Sequence, residues 1–275
     1  MEAHAAERTI RLADERVVIA GDWHENTAWA AAALHAAGKH TRTVLHVGDF
    51  GLLPGSASHL QAIDEAAAAS GIDRILLTPG NHDDWGTLNG LFAAHPGCAV
   101  RVSETVWALP RAFTFHAGGR SFLSFGGAAS PDFRRRTAGV DWWPGEAPTD
   151  GEVGRAIHAG WVDVMLTHDA VHYSGIPAVE TIVTDPGRLD LASLDYVRAT
   201  RDQVTRVYLA VGPTLLFHGH LHVAANGARP HGRRIYSLGA DGSRFGNLAL
   251  LDVADLTVMG VGVFHEERAA ALVCA

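Results

Sequence analysis

Cysteine, lysine and methionine are all scarce in this chain of 275 residues, with two, one and three copies. Cys98 and Cys274 lie far apart in sequence, which excludes a disulfide framework and suits a reducing cytoplasm. Long apolar runs are missing as well. None approaches the ~20 residues that cross a bilayer, and Met1 to Arg16 mixes acids, arginines and alanines with no signal-peptide core. The expectation is a cytoplasmic chain with no membrane partner. Nor is there a basic excess: 30 acids oppose 22 bases, for a net charge of −8. Nucleic-acid binders normally carry a basic footprint, so the composition speaks against DNA or RNA as a partner. What the chain does have is histidine, in 17 copies. Neutral imidazole is the commonest metal ligand, so the question becomes which histidines have metal-binding company.

An apolar content of 47% against 19% charged residues allows a sizeable core. No linker, repeat or low-complexity tract divides the chain, and residues 1–275 read as one domain. Val17-Val18-Ile19-Ala20, Val44-Leu45-His46-Val47 and Ile75-Leu76-Leu77 read as strands. Between them lie alanine-rich helical segments, Ala28 to Ala37 and Ala57 to Ala69, the first capped by Asn26 or Thr27 and the pair closed by Gly38 and Gly71. That alternation predicts a layered α/β fold with parallel central strands. After Pro96, short strand candidates follow at Ala99–Val102, Thr105–Leu109, Ala112–His116 and Ser121–Phe125, which suggests a mixed or antiparallel stretch. A loop rich in Gly, Pro, Arg and Trp spans Gly126 to Asp150, and a helix then precedes the strand Val162–Leu166. A second loop spans Asp169 to about Gly187, with helix from Leu189 to about Val204. Strands return at Leu215–His218, Arg234–Leu238, Asn247–Val253 and Leu256–Phe264.

Five of these strands end in polar residues of one kind. They deliver Asp22-Trp23-His24, Asp49, Asn81-His82-Asp83, His168 and His220-Leu221-His222, and glycine directly precedes four of the five blocks. In open α/β sheets ligands bind at the carboxyl ends of strands. Two carboxylates, one amide oxygen and four imidazoles, with no thiolate, suit manganese, iron, zinc, nickel or cobalt, manganese being favoured. Seven ligands are too many for one tetrahedral ion and about right for two. Asp22 and His24 can reach one ion from one loop, His220 and His222 can serve one ion each, and Asp49 is placed to bridge.

The five blocks, in this order from Asp22 to His222, resemble the calcineurin-like metallophosphoesterase superfamily. The resemblance implies a four-layer αββα sandwich with two mixed β-sheets flanked by helices and a metal site at strand C-terminal ends. It assigns Asp22, His24, Asp49 and His222 to one ion, and Asp49, Asn81, His168 and His220 to the other. It also implies in-line attack on phosphorus by a hydroxide bridging the ions, formed near neutral pH because metals lower the pKa of water. His82 resembles the family histidine that stabilises the transition state or protonates the leaving oxygen. The segment Gly48 to Pro54 lacks the acid and arginine that follow in protein serine/threonine phosphatases, and Leu52 stands where purple acid phosphatases carry tyrosine. The partner of His82 is then left open between Asp83 and Asp84. The implied substrate is a small phosphomonoester, phosphodiester or nucleotide; the alternatives are a nuclease on DNA or RNA and a non-catalytic scaffold that has kept the fold.

Outside the blocks, Arg134, Arg135 and Arg136 either clamp a phosphate or form a solvated loop. Trp142 and Trp143 either stack on a base or pack the loop, and Trp143 is taken with the arginines as a substrate-binding candidate. His46 and His218, inside strands, either hydrogen-bond to ligands or serve as buried structural residues. His4, His35, His40, His59, His95, His116, His158, His172, His231 and His265 have no block context and are expected to be surface or packing residues.

Overall fold

A computed structural model of the protein describes residues 5–185, 187, 189–243 and 245–263; His4, Phe264, His265 and Cys274 lie outside them. Two mixed sheets form among these residues, with strands numbered in chain order. The first runs β1 (Ala6–Glu7), β6 (Ala99–Arg101), β7 (Val106–Ala108), β5 (Arg74–Leu77), β4 (Thr43–His46), β3 (Arg16–Ala20), β14 (Leu248–Asp252) and β15 (Val258–Val261). The second runs β12 (Ala225–Ala228), β13 (Arg234–Ser237), β11 (Leu215–His218), β10 (Val164–Thr167), β9 (Arg120–Phe125), β8 (Phe113–Ala117) and β2 (Arg11–Leu12). Each sheet has a parallel centre, β3–β4–β5–β7 in one and β9–β10–β11–β13 in the other. Antiparallel neighbours such as β14 and β8 flank these centres.

The parallel strands are apolar on both faces, as they must be when both faces are covered. Ile19, Leu45 and Leu76 meet Phe115, Phe122, Leu166 and Phe217 between the sheets. On the outer face of the first sheet, Ala33, Leu34 and Ala37 of α1 (Thr27–Ala37) and Ile63 and Ala67 of α2 (Ala57–Ser70) pack against Val18, Val44 and Ile75. Asn26 caps α1 by accepting from the Trp29 N–H. The outer face of the second sheet is covered by α4 (Asp150–His158), α5 (Pro177–Thr184) and α6 (Leu191–Val211). The arrangement is the four-layer αββα sandwich.

Three helices depart from the sequence expectation, and the short strands β1, β2 and β12 lie outside it. Helix α3 (Trp85–Ala94) fills a stretch whose two glycines and asparagine are poor helix formers. Asp84 starts it by capping the Thr87 N–H, and burial of Trp85 and Leu88 holds it down. The expected loop from Asp169 to Gly187 contains α5, started by Pro177 at its first turn. Helix α6 runs on to Val211, because Val204, Val207, Tyr208 and Val211 continue its buried stripe until Gly212 stops it at φ 64°.

Candidate metal centre

Asp22 follows β3, Asp49 follows β4, Asn81 and His82 follow β5, His168 follows β10, and His220 and His222 follow β11. The centres of both sheets thus empty their carboxyl ends onto one spot. Ligand atoms of Asp22, His24 and His222 lie within 4.8 Å of one another, as do those of Asp49, His168 and His220. Asp49 faces both groups: Oδ2 is 3.6 Å from His24 Nε2, and Oδ1 is 3.2 Å from His168 Nε2. Asn81 Oδ1 lies 3.0 Å from His168 Nε2 on the second group's side.

The backbone is bent to achieve this. His24, Asp49, His220 and His222 all have positive φ, between 46° and 64°. Non-glycine residues in that region cost energy and cluster at functional sites. The neighbouring glycines clear space for the two carboxylates: a Cβ on Gly80 would stand 2.2 Å from Asp49 Oδ1, and one on Gly219 would stand 2.0 Å from Asp22 Oδ1.

Electrostatics favour a cation here. The side chains of Asp22 and Asp49 are buried, and buried carboxylates demand a positive partner. Without metal, protons supply it. Burial alone would lower His24, but its hydrogen bonds to Asp49 and Asp241 and the charges of Asp49 and Asp22 push it up to about 9. At His168 burial also opposes charging, yet the Asp49 charge and hydrogen bond carry it up to about 10. Burial would raise Asp49, and the His168 charge and the hydrogen bonds of His168 and His24 instead hold it well below the usual carboxylate range. An all-nitrogen-and-oxygen donor set around two buried carboxylates fits two divalent ions.

These shifts set a pH dependence. A histidine whose folded pKa is raised stabilises the fold fully below its ordinary value and loses that contribution as pH rises through the folded value. The melting temperature of metal-free protein should therefore fall between pH 6.5 and about 10 as His24 and His168 lose their protons. Metal competes with those protons, so the stabilisation gained on adding manganese should grow over the same range. Melts with and without chelator check both slopes.

Two residues that sequence reading passed over hold the site together. Asp241, beyond β13, accepts from His24 Nδ1–H at 2.8 Å and from Asn26 Nδ2 at 2.7 Å, which leaves His24 Nε2 free for a metal. The Val47 carbonyl does the same for His168, at 2.7 Å from Nδ1. Asn247 accepts from the indoles of Trp23 and Trp29 and donates to the Asp22 carbonyl, pinning the loop that carries Asp22 and His24. Leu238-Gly239-Ala240-Asp241 repeats the strand-end pattern of the five blocks, and that was the available signal for Asp241. Asp241→Ala should weaken binding of one ion by about 10–100-fold and spare the other, as read by calorimetric titration with manganese.

The remaining candidates separate. The guanidinium of Arg136 reaches the site: its NH1 and NH2 are 3.2 and 3.4 Å from the two ring nitrogens of His82, and Asp132 anchors Nε at 2.7 Å. Arg134 and Arg135 are exposed, and Arg134 lies 3.8 Å from Asp190 instead. Trp143 offers no face for stacking, because it is buried among Leu52, Trp85 and Leu88. Asp83 and Asp84 are not partners of the His82 ring. Asp83 accepts from the Gly51, Leu52 and Gly80 N–H groups, and Asp84 is spent on the cap of α3. His46 and His218 are buried, and their hydrogen bonds go to Gly48 N–H and the Gly219 carbonyl, which favours the structural reading of both.

A family model described as calcineurin-like phosphoesterase matches residues 15–224. No curated protein matches. Among solved structures, a dimetal phosphatase from Danio rerio aligns over 93% of this chain and 98% of its own, at 10% identity and a TM-score of 0.55. A conserved Streptococcus pneumoniae protein described as a predicted phosphoesterase aligns over 97% of this chain and 95% of its own, at 12% identity and a TM-score of 0.42. A 5'-nucleotidase from Candida albicans aligns over 95% of this chain and 54% of its own, at 12% identity and a TM-score of 0.46. The likeness to the Danio rerio protein is one of fold.

Proposed function

The chain belongs to the calcineurin-like phosphoesterase family, and from that membership we propose that it hydrolyses a small phosphomonoester, phosphodiester or nucleotide at the paired ligand groups. In this reading the described residues make up one domain around that site. Asp22, His24, Asp49 and His222 would hold one divalent ion, and Asp49, Asn81, His168 and His220 the other; manganese suits this set of carboxylate, amide and imidazole donors. When bound, the ions would make water nucleophilic near neutral pH and neutralise the phosphate oxygens.

The chain's own residues do the rest. Asp49 holds the two groups in register through its two oxygens and accepts the His82 N–H at 2.8 Å, which ties the His82 loop to the ligand cluster. His82 sits beside the cluster, its ring 5.9 Å from that of His24, and serves the leaving oxygen. Arg136 adds a fixed positive charge at the rim, where it can meet the phosphate bidentately. Among the described residues no helix is long and apolar enough to cross a membrane. The observation that carries the reading is the division of the Asp49 carboxylate between the two groups.

The test loads purified protein with manganese, counts bound metal, and compares hydrolysis of mono- and bis-nitrophenyl phosphate. Two ions per chain and turnover of at least one ester are expected. Fewer than one ion per chain and no turnover with manganese, iron, zinc, nickel or cobalt would overturn the proposal.

A further inference from the structure

Glu146, the last residue of the 3-10 turn Pro144–Glu146, has no exposed surface, and its carboxylate accepts four hydrogen bonds. Oε1 accepts from the Ser130 N–H at 2.6 Å, Trp142 Nε1–H at 3.0 Å and the Tyr196 hydroxyl at 3.0 Å. Oε2 accepts from Ser130 Oγ at 2.7 Å. Arg111 fixes the chain on either side by donating to the Gly126, Gly145 and Glu146 carbonyls, while its guanidinium stacks on Trp85. Ser130 in turn receives Asn81 Nδ2–H at 3.1 Å.

From this chain of contacts we infer that Glu146 is a positioning residue, which acts through Ser130 to set the end of the Asn81 amide that faces His168 and the second ligand group. Given the proposed role of Asn81 as a ligand, the count of available protons fixes this orientation. A serine hydroxyl has one proton. With the Glu146 carboxyl ionised, that proton is committed to Oε2, and Ser130 can only accept on its other side. Asn81 must then present its amide N–H to Ser130, which turns Oδ1 toward His168 Nε2, at 3.0 Å. The reversed amide would offer a cation two N–H groups in place of an oxygen.

Glu146→Gln tests this with little change of shape. The Ser130 and Trp142 N–H groups are obligate donors, so the new amide oxygen must take the Oε1 position and its NH2 must face Ser130 Oγ. The serine proton then swings to Asn81 and asks for its oxygen. Manganese titration by calorimetry is run at pH 8, above the value of about 7 to which burial raises Glu146 against its four hydrogen bonds. One of the two ions should bind about 10–100-fold more weakly and the other unchanged, the range typical when a group behind a metal ligand is lost. In an Asn81→Asp background both ends of the side chain are oxygens, and Glu146→Gln should then cost nothing further. Equal losses in the two backgrounds, or no loss in either, overturn the inference. If Glu146→Gln does not fold, Ser130→Ala replaces it in the same comparison. Failure of the unsubstituted protein to bind manganese would instead remove the metal site itself, and the positioning role with it.

Discussion

Asparagine in place of Asp49 is expected to strip the protein of both ions and of measurable turnover. The substitution keeps the shape of the side chain and changes one oxygen to an NH2 group. One oxygen of Asp49 faces His168 and the other faces His24, so whichever way the amide settles, one group loses its acceptor. The other keeps an oxygen without its full charge. Loss of a residue proposed as a direct ligand should exceed the about 10–100-fold in affinity that an outlying partner is worth. Turnover should fall by more than about 10⁴-fold, the product of two contacts each worth roughly 10²–10³. Metal counts and steady-state kinetics measure the two effects separately. The variant carries a second signature. With the Asp49 charge gone, His168 and His24 lose the main support for their raised pKa values, so the fall in metal-free stability toward high pH should flatten. Two bound ions and turnover within about tenfold of the parent would take Asp49 out of the position assigned to it.

How much of this was legible in the sequence depends on the range of the interactions involved. The strand ends were legible because the signal is local: an apolar run, a glycine and a ligand within a few residues, as at Val18-Ile19-Ala20-Gly21-Asp22. Those runs and the helical segments between them predicted a layered α/β fold with parallel central strands, and the sandwich itself came from the family resemblance that the five blocks carry. Helix α3 was not legible, because its propensities are poor and its stability comes from burying Trp85 and Leu88. Asp241 stands 217 residues from the histidine it orients, and only the order of strands in the two sheets brings them together. Nor does a sequence show that four of the proposed ligands adopt left-handed backbone, since for histidine and aspartate that conformation carries a cost which the surrounding fold must offset. The arginine triplet makes the same point at short range. Consecutive side chains of the 3-10 turn Phe133–Arg135 point in different directions, so only Arg136, just beyond it, lies against His82.

The contact between Arg136 and His82 decides how His82→Ala should be read. Burial lowers the pKa of His82 and the Arg136 charge lowers it further, against the pull of Asp49. In the free protein the balance of these effects favours the neutral imidazole, a far weaker proton donor than the charged form. An arriving phosphate ester changes that balance, because its negative charge engages Arg136 and favours the charged imidazole. Proton donation would thus be armed by substrate. His82→Ala should lower turnover by about 10²–10⁴-fold on an alkyl phosphate, whose alkoxide cannot leave unprotonated, and by much less on nitrophenyl phosphate. Equal losses on both esters would assign His82 to stabilising charge on the phosphoryl group and not to donating a proton. Arg136→Ala separates the two roles further. It removes one of the charges that, after burial, lower the pKa of His82, so the imidazole should titrate at higher pH in the free protein, visible by NMR of the histidine ring protons. The same change removes a phosphate contact, so KM should rise on both esters. A variant that shifts KM without moving the His82 titration would place Arg136 on the substrate alone.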